Sequence, residues 1–194
     1  YKDCLARGQD LAGDLGPVLG SYHSVVAQNA ARLAEISGLD EVSFHMSGTE
    51  AVMQAVRLAR YHTRRTHVVC FCGAYHGWSD QLAYGLRVPG TKGIMAKGIP
   101  GFVFKHTKEF FPNDLKDLER KLRLNKLSGG TAAIFIEPVG PESGTRPLSK
   151  EFIQGTERLA KKYGALLIFD EVVTGFRIGQ SGAQGYFGVD PDLT

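Results

Sequence analysis

Apolar and polar positions recur at helical spacing in four stretches of the chain. The pattern predicts helices over residues 22–37, 48–61, 113–125 and 149–163. Gly38 and Gly164 directly follow two of these stretches and are typical of the left-handed residue that ends a helix. Asn113 and Ser149 begin two others as candidate N-caps. The predicted limits of these helices therefore rest on end signals as well as on periodicity.

Five shorter runs are apolar or alternate between apolar and polar residues. They predict strands at residues 41–45, 67–71, 102–105, 131–136 and 165–169. The last two runs are continuously apolar, which is typical of strands that are buried on both faces of a sheet. Residues 73–101 contain nine glycines and prolines and little periodicity. This segment is predicted to be a long loop with at most a short helix in it.

Strands that alternate with helices indicate an α/β fold. We expect a mostly parallel sheet with helices on both faces. The 194 residues are enough for one domain with a core of its own. The sequence has no internal repeat, no low-complexity tract and no evident internal domain boundary.

Composition and net charge limit which binding partners and which cellular location are predicted. The net charge is only +3 and no basic stripe is present, so no nucleic-acid partner is predicted. No apolar run approaches the length that spans a bilayer, so no membrane partner is predicted either. The three cysteines, Cys4, Cys70 and Cys72, are too few for a disulfide framework, which favours a reducing, cytoplasmic location. Cys70 and Cys72 are interpreted as buried thiols rather than a metal pair, and no metal site is predicted.

Asp170 closes the apolar run at residues 165–169. A carboxylate at the mouth of a buried strand costs free energy unless a cationic group lies beside it. In open α/β sheets this mouth is where ligands bind, so a protonated ring nitrogen of a flat ligand is a candidate partner. Val172, two residues on, could then pack on the ring. A helix cap or a salt bridge is the structural alternative for Asp170.

A second motif, Ser47-Gly48-Thr49-Glu50, follows the first predicted strand. It has the form of a capping box, and starting a helix is its structural interpretation. The same geometry also suits an anion. Gly48 allows close approach to the backbone, and the N–H groups and the Thr49 hydroxyl could bind a phosphate.

Two further motifs follow the ends of predicted strands. Tyr75-His76-Gly77 could place a ring on a flat ligand, with Tyr75 as a half-buried packing residue as the alternative. His76 is either an acid–base residue, a hydrogen-bond donor to a neighbour or a satisfied structural histidine. Glu137, before Pro138, either points into the same crevice or is a solvated acid at a strand end.

Together these motifs resemble the class III pyridoxal-phosphate aminotransferases. The resemblance is carried by residues 47–51, 75–77, 136–139 and 169–177, and residues 185–194 are most similar to the glutamate-1-semialdehyde aminomutase branch. It implies fold type I, pyridoxal 5′-phosphate as cofactor, transfer of an amino group on a small amino or keto acid, and a homodimer with active sites at the subunit interface.

The resemblance also assigns roles to individual residues. It implies that Gly48 and Thr49 bind the phosphate, Tyr75 stacks on the ring, Asp170 holds the pyridine nitrogen and Val172 covers the opposite face of the ring. Asp170 is the expected catalytic residue within the chain. The expected cofactor-binding set is Ser47, Gly48, Thr49, Tyr75, His76, Glu137, Asp170 and Val172.

The family's Schiff-base lysine is not among the matched residues. In the family it follows the Pro-Asp-Leu-Thr stretch by a few residues, and none of the eleven lysines here has that position. We therefore expect residues 1–194 to be part of the large, cofactor-binding domain. The N-terminal segment, the lysine region and the C-terminal domain are expected to lie outside them. Cys72-Gly73-Ala74, in place of a frequent Glu-Gly, and Trp78 weaken the aminomutase assignment more than the cofactor assignment.

Other enzyme classes lack their signatures in this sequence. No G-x-G-x-x-G, G-x-S-x-G or H-E-x-x-H occurs, and Ile99 stands where a phosphate-binding loop would need lysine. Two alternatives remain open: a non-catalytic protein that keeps the cofactor fold, and an aminotransferase domain of a larger biosynthetic assembly line. Arg87 and Lys92 are candidates for binding a substrate carboxylate.

Overall fold

The computed structural model describes residues 1–16, 23–83, 97–140 and 146–194. The chain divides into two compact units, Tyr1–Ser43 and Phe44–Thr194, and every predicted site residue belongs to the second. Arg87 and Lys92 lie outside the described residues. No helix in the described ranges has the length and apolar character needed to cross a membrane.

The first unit contains two helices, α1 (Lys2–Leu15) and α2 (Val25–Ser37). Helix α2 confirms the helix predicted to end before Gly38, which adopts φ 71° and donates its N–H to the Ala34 carbonyl. Helix α1 was not predicted, because Gly8 and Gly13 interrupt a sparse apolar pattern.

The second unit is built on a parallel sheet, which confirms the predicted α/β fold. Within the described residues the sheet has four strands in the order β2-β1-β3-β4, and every neighbouring pair is parallel. The elements along the chain are α3 (Gly48–Thr63), β1 (His67–Phe71), α4 (Asp80–Ala83), a 3-10 helix (Gly101–His106), β2 (Thr107–Phe110), α5 (Leu115–Lys126), β3 (Thr131–Ile136), α6 (Lys150–Tyr163), β4 (Leu166–Phe169) and α7 (Gly182–Phe187).

Helices cover both faces of this sheet, as predicted. Alternate residues of β3 point to opposite sides: Phe135 packs with α3, whereas Ile134 packs with α5 and α6. The core on the α3 side includes Val52, Val56, Ala59, Val68, Cys70 and Phe135. The core on the other side includes Phe110, Leu118, Leu122, Ile134, Phe152 and Ile153. Burial raises the pKa of the Cys70 thiol, consistent with the predicted buried thiol.

Two predicted strands are wrong. Residues 41–45 form no strand, because they do not join the parallel sheet formed by the described residues. Residues 102–105 belong to the 3-10 helix, in which the Val103 N–H donates to the Pro100 carbonyl at 3.0 Å. The strand begins only at Thr107. Because β2 is an edge strand, its half-buried Lys108 and Glu109 are tolerated there, and they hid it from a pattern of apolar residues.

The predicted helix starts are largely confirmed. Ser149 caps α6 by accepting the Phe152 N–H at 3.1 Å, and Gly164 ends that helix in the left-handed conformation. The cap of α5 was predicted one residue too early. Asp114 is the N-cap and accepts the Asp117 N–H, whereas Asn113 has φ 60°.

Candidate active site

Two acidic residues directly follow the carboxyl ends of neighbouring strands. Ile136 at the end of β3 is the register partner of Phe169 at the end of β4, so Glu137 and Asp170 follow at the same edge. The Asp170 N–H continues the ladder by donating to the Ile136 carbonyl at 2.8 Å. Glu137 is only 5% exposed and Asp170 only 8%. The predicted convergence of these acids at the carboxyl end of the sheet is present.

Asp170 is held by His76. Its Oδ2 lies 2.8 Å from His76 Nδ1, and its Oδ1 accepts the Val172 N–H at 3.2 Å. A carboxylate only accepts hydrogen bonds, so the imidazole proton is assigned to Nδ1. The other ring nitrogen, Nε2, is buried and has no hydrogen-bond partner within the described ranges. Asp170 caps no helix of the described residues, and its contact with His76 has the geometry of the salt-bridge alternative.

Phe135 packs against the His76 ring. The ring centroids are 5.5 Å apart and the planes are tilted by 53°. Phe135 was not among the predicted site residues. The alternation of side chains along β3 could have placed it, because Phe135 lies on the opposite face of the sheet from its neighbours Ile134 and Ile136.

Glu137 accepts a backbone hydrogen bond from the loop after β1. Its Oε2 receives the Tyr75 N–H at 3.2 Å. Burial raises the pKa of the Glu137 carboxyl above its ordinary value, and this effect exceeds the lowering by the Tyr75 hydrogen bond and by nearby His76. Asp170 raises the pKa further because its negative charge is close. Glu137 is therefore not the solvated acid of the structural alternative.

The start of α3 forms the predicted cap with one difference. Ser47 Oγ accepts the Glu50 N–H at 3.2 Å. The Glu50 carboxylate, however, reaches back to the Met46 N–H at 2.8 Å instead of to that of Ser47. Helix α3 thus begins on a firmly capped turn.

Two glycines let three segments meet at this point. A Cβ on Gly48 would lie 2.9 Å from Val172 Cγ2, and a Cβ on Gly77 would lie 2.5 Å from Thr49 Oγ1. Gly77 also has φ 86°, which favours glycine. The structure therefore brings the start of α3, the loop after β1 and the segment after β4 into direct contact.

Tyr75 and Val172 are exposed, at 56% and 73%. Their exposure argues against a mainly packing role for Tyr75 and leaves both side chains accessible to a ligand. The neighbouring acid Glu171 accepts hydrogen bonds from the Ala183 N–H at 2.9 Å and the Thr174 hydroxyl at 2.8 Å. Glu171 thus holds the start of α7 and leaves Asp170 as the acid that faces His76.

All eight predicted site residues lie on the three connected segments or beside Asp170. A buried carboxylate with a fixed histidine donor, next to a helix N-terminus, can bind a ligand that carries both a cationic group and an anionic group. Groups of three or more side chains able to hold a metal ion are absent from the described parts of the chain. The individual ligand-binding roles stay predictions.

Comparison with known proteins identifies relatives with this architecture. A curated relative described as glutamate-1-semialdehyde 2,1-aminomutase, from Clostridium kluyveri, is 43% identical over 154 residues, which are 76% of this chain and 35% of the relative. The chain thus spans about a third of that relative's length.

Two solved structures extend the comparison. An omega-transaminase from Sphaerobacter thermophilus has a TM-score of 0.85 and 31% identity, over 97% of this chain and 44% of its own. A glutamate-1-semialdehyde aminomutase from Pseudomonas aeruginosa has a TM-score of 0.79 and 28% identity, over 99% of this chain and 42% of its own. These neighbours confirm the predicted fold type I architecture.

The family model described as Aminotransferase class-III matches residues 18–194. This match includes every element of the second unit and all of the site residues. The resemblance found in the motifs therefore holds over most of the sequence, and the chain belongs to the class-III aminotransferase family.

Proposed function

We propose that the full-length protein is a pyridoxal-phosphate-dependent enzyme that transfers the amino group of a small amino or keto acid. The observation that carries this proposal is the buried Asp170 carboxylate, fixed by His76 at the carboxyl end of the parallel sheet. Membership of the class-III aminotransferase family supports the same chemistry.

The residues present fit pyridoxal phosphate. The first turn of α3 has backbone N–H groups without carbonyl partners in the helix, and these can donate to a phosphate. Gly48 has no Cβ that would obstruct close approach, although Val172 fills the side where a Cβ would point. Asp170 supplies the single acid needed by a protonated ring nitrogen. The fit thus covers both ends of the cofactor.

Each residue has a defined task in this proposal. Bound pyridoxal phosphate supplies an electron sink for negative charge that develops on the substrate. Asp170 would keep a proton on the ring nitrogen, and the His76 N–H keeps the Asp170 carboxylate oriented. Gly48 and Thr49 would bind the phosphate, and Tyr75 and Val172 would pack against the ring.

We assign the remaining parts of the enzyme to the full-length protein outside residues 1–194. These parts are the N-terminal segment, the lysine that binds the cofactor and the C-terminal domain. The 35% coverage of the curated aminomutase supports this assignment. We also propose a cytoplasmic homodimer whose subunits each contribute to the active sites.

Two reactions are compatible with this site, and the curated relatives favour one. The 43% identity to proteins described as glutamate-1-semialdehyde 2,1-aminomutase favours an internal amino shift. The similarity to an omega-transaminase instead favours transfer between two molecules.

The experiment is to purify the full-length protein with pyridoxal phosphate and supply glutamate-1-semialdehyde, with or without a separate keto acid. Product formation without the keto acid would support the aminomutase. Product formation only when the keto acid is present, with glutamate-1-semialdehyde as the amino donor, would support the aminotransferase. A protein that binds no cofactor and catalyses neither reaction would contradict the proposed function.

A further inference from the structure

The loop formed by residues 74–77, here the site loop, is held at each of its four residues by a different element. The Ala74 N–H donates to Phe71 in β1, the Tyr75 N–H to Glu137 after β3 and the His76 ring to Asp170 after β4, and Gly77 packs on Thr49 in α3. The loop's conformation therefore depends on contacts at the carboxyl ends of β1, β3 and β4 and at the start of α3.

The side chain of Tyr75 does little to hold the site loop in place. Its ring is 56% exposed, whereas Ala74 and His76 are buried on either side. An exposed ring gains little packing energy, so its direction is set by the backbone beneath it. The hydrogen bond from the Tyr75 N–H to Glu137 Oε2, at 3.2 Å, is the contact made by the Tyr75 backbone itself.

Glu137 has the properties of an internal anchor. It is nearly fully buried, and no Lys or Arg of the described segments pairs with its carboxylate. Burying a carboxylate without a cation costs free energy, which is partly offset when it accepts a backbone hydrogen bond. The hydrogen bond from the Tyr75 N–H therefore offsets part of the free energy that burying Glu137 costs.

We infer that Glu137 is a positioning residue: it orients Tyr75 through the backbone and does not itself need to touch the cofactor. This inference rests on the proposed function only in taking the Tyr75 ring as the group that faces pyridoxal phosphate. It refines the cofactor-binding role that the resemblance implied for Glu137.

The test measures the affinity of the full-length apo protein for added pyridoxal phosphate in a double-mutant cycle. Glu137→Leu removes the acceptor, and its affinity is expected to fall about tenfold because the Tyr75 N–H loses its partner and the loop backbone is no longer held there. Glu137→Gln keeps an amide oxygen and is expected to stay within about twofold of wild type. In the Tyr75→Ala background, which keeps the N–H but lacks the ring, Glu137→Leu is expected to cause no further loss.

Two results would overturn the inference. One is an equal loss from Glu137→Leu with and without the Tyr75 ring, since Glu137 would then act on the cofactor by another route. The other is a tenfold loss in Glu137→Gln, because the charge rather than the acceptor would then matter. The second result decides the question even if Glu137→Leu fails to fold.

A cofactor-independent measurement separates this inference from the proposed function. Hydrogen exchange of the Tyr75 amide in the apo protein is expected to be slow in wild type and in Glu137→Gln, and fast in Glu137→Leu. If the protein binds no pyridoxal phosphate but shows this exchange pattern, the proposed function fails while the positioning contact stands. Fast exchange in wild type would refute the contact itself.

Discussion

The hydrogen bond between His76 and Asp170 joins two buried side chains at the centre of the proposed site. Burial makes the bond valuable, because removing one partner leaves the other without compensation in a region that water does not reach. The energetic consequences of changing single residues should therefore be concentrated here and at Glu137.

His76→Phe is predicted to impair both stability and turnover of the full-length protein. Phenylalanine keeps an aromatic ring against Phe135 but cannot donate to Asp170, so we expect a loss of about 1–3 kcal/mol in the free energy of unfolding. Urea unfolding and steady-state kinetics measure the two effects. The control is His62→Phe, an exposed position of α3, for which a change within about 0.5 kcal/mol is expected. Equal effects of the two variants would contradict the assigned role of His76.

Glu137 predicts a pH dependence with a defined sign. Burial raises the pKa of its carboxyl in the folded protein, so the folded state holds the proton more strongly than the unfolded state. Its contribution to stability is therefore complete below the unfolded pKa and is lost as the pH rises through the folded pKa. The measurement is the free energy of unfolding of wild type and of Glu137→Gln at a series of pH values. As the pH rises, wild type should lose stability relative to Glu137→Gln. A constant difference between the two proteins would show that Glu137 titrates normally.

At the scale of elements, the site depends on how tightly the site loop packs on the start of α3. Gly77 and Gly98 have the same φ of 86°, but a Cβ at Gly98 would meet nothing within 4 Å. The two positions therefore share the backbone strain of an added side chain and differ in crowding.

Gly77→Ala is predicted to destabilise the protein more than Gly98→Ala. Both variants incur the left-handed strain of about 1–2 kcal/mol, and crowding against Thr49 adds about 1–3 kcal/mol at Gly77 alone. Urea unfolding of both variants measures the difference. If the midpoints shift equally, the close contact between the site loop and α3 is not important for stability.

The helix caps allow a second matched comparison. Ser149 accepts the Phe152 N–H, whereas Ser181 stands at the N-cap of α7 without a side-chain hydrogen bond to that helix. Ser149→Ala is therefore expected to cost about 1 kcal/mol and Ser181→Ala much less. Thermal unfolding measures both, and an equal cost at the two positions would argue against the capping assignment.

At the scale of the whole molecule, sequence was most informative where structure is determined locally. Ser149 and Gly164 delimit α6 because capping involves only neighbouring residues. Strand assignments failed at residues 41–45 and 102–105, because a strand requires a partner that the local pattern does not contain. The edge strand β2 was missed for the same reason, since Lys108 and Glu109 are acceptable only in the assembled sheet.

The candidate site shows the same division between local and long-range information. The acids at the ends of β3 and β4 could be predicted, because parallel strands present their carboxyl ends at one edge. The hydrogen bond from the Tyr75 N–H to Glu137 could not be predicted, because it depends on how the loop after β1 crosses to the end of β3. The contact of Gly77 with Thr49 also appears only in the assembled fold.

The central claim is that the Asp170 carboxylate holds the proton on the ring nitrogen of pyridoxal phosphate. Asp170→Asn preserves the size of the side chain and removes its charge. The most direct measurement is the turnover of this variant in the full-length protein, with circular dichroism to verify the fold and cofactor loaded to saturation. We predict a loss of about 100-fold or more, the scale expected when a preorganised charge that stabilises the transition state is removed. Near-wild-type turnover in a folded, cofactor-loaded Asp170→Asn protein would contradict the account.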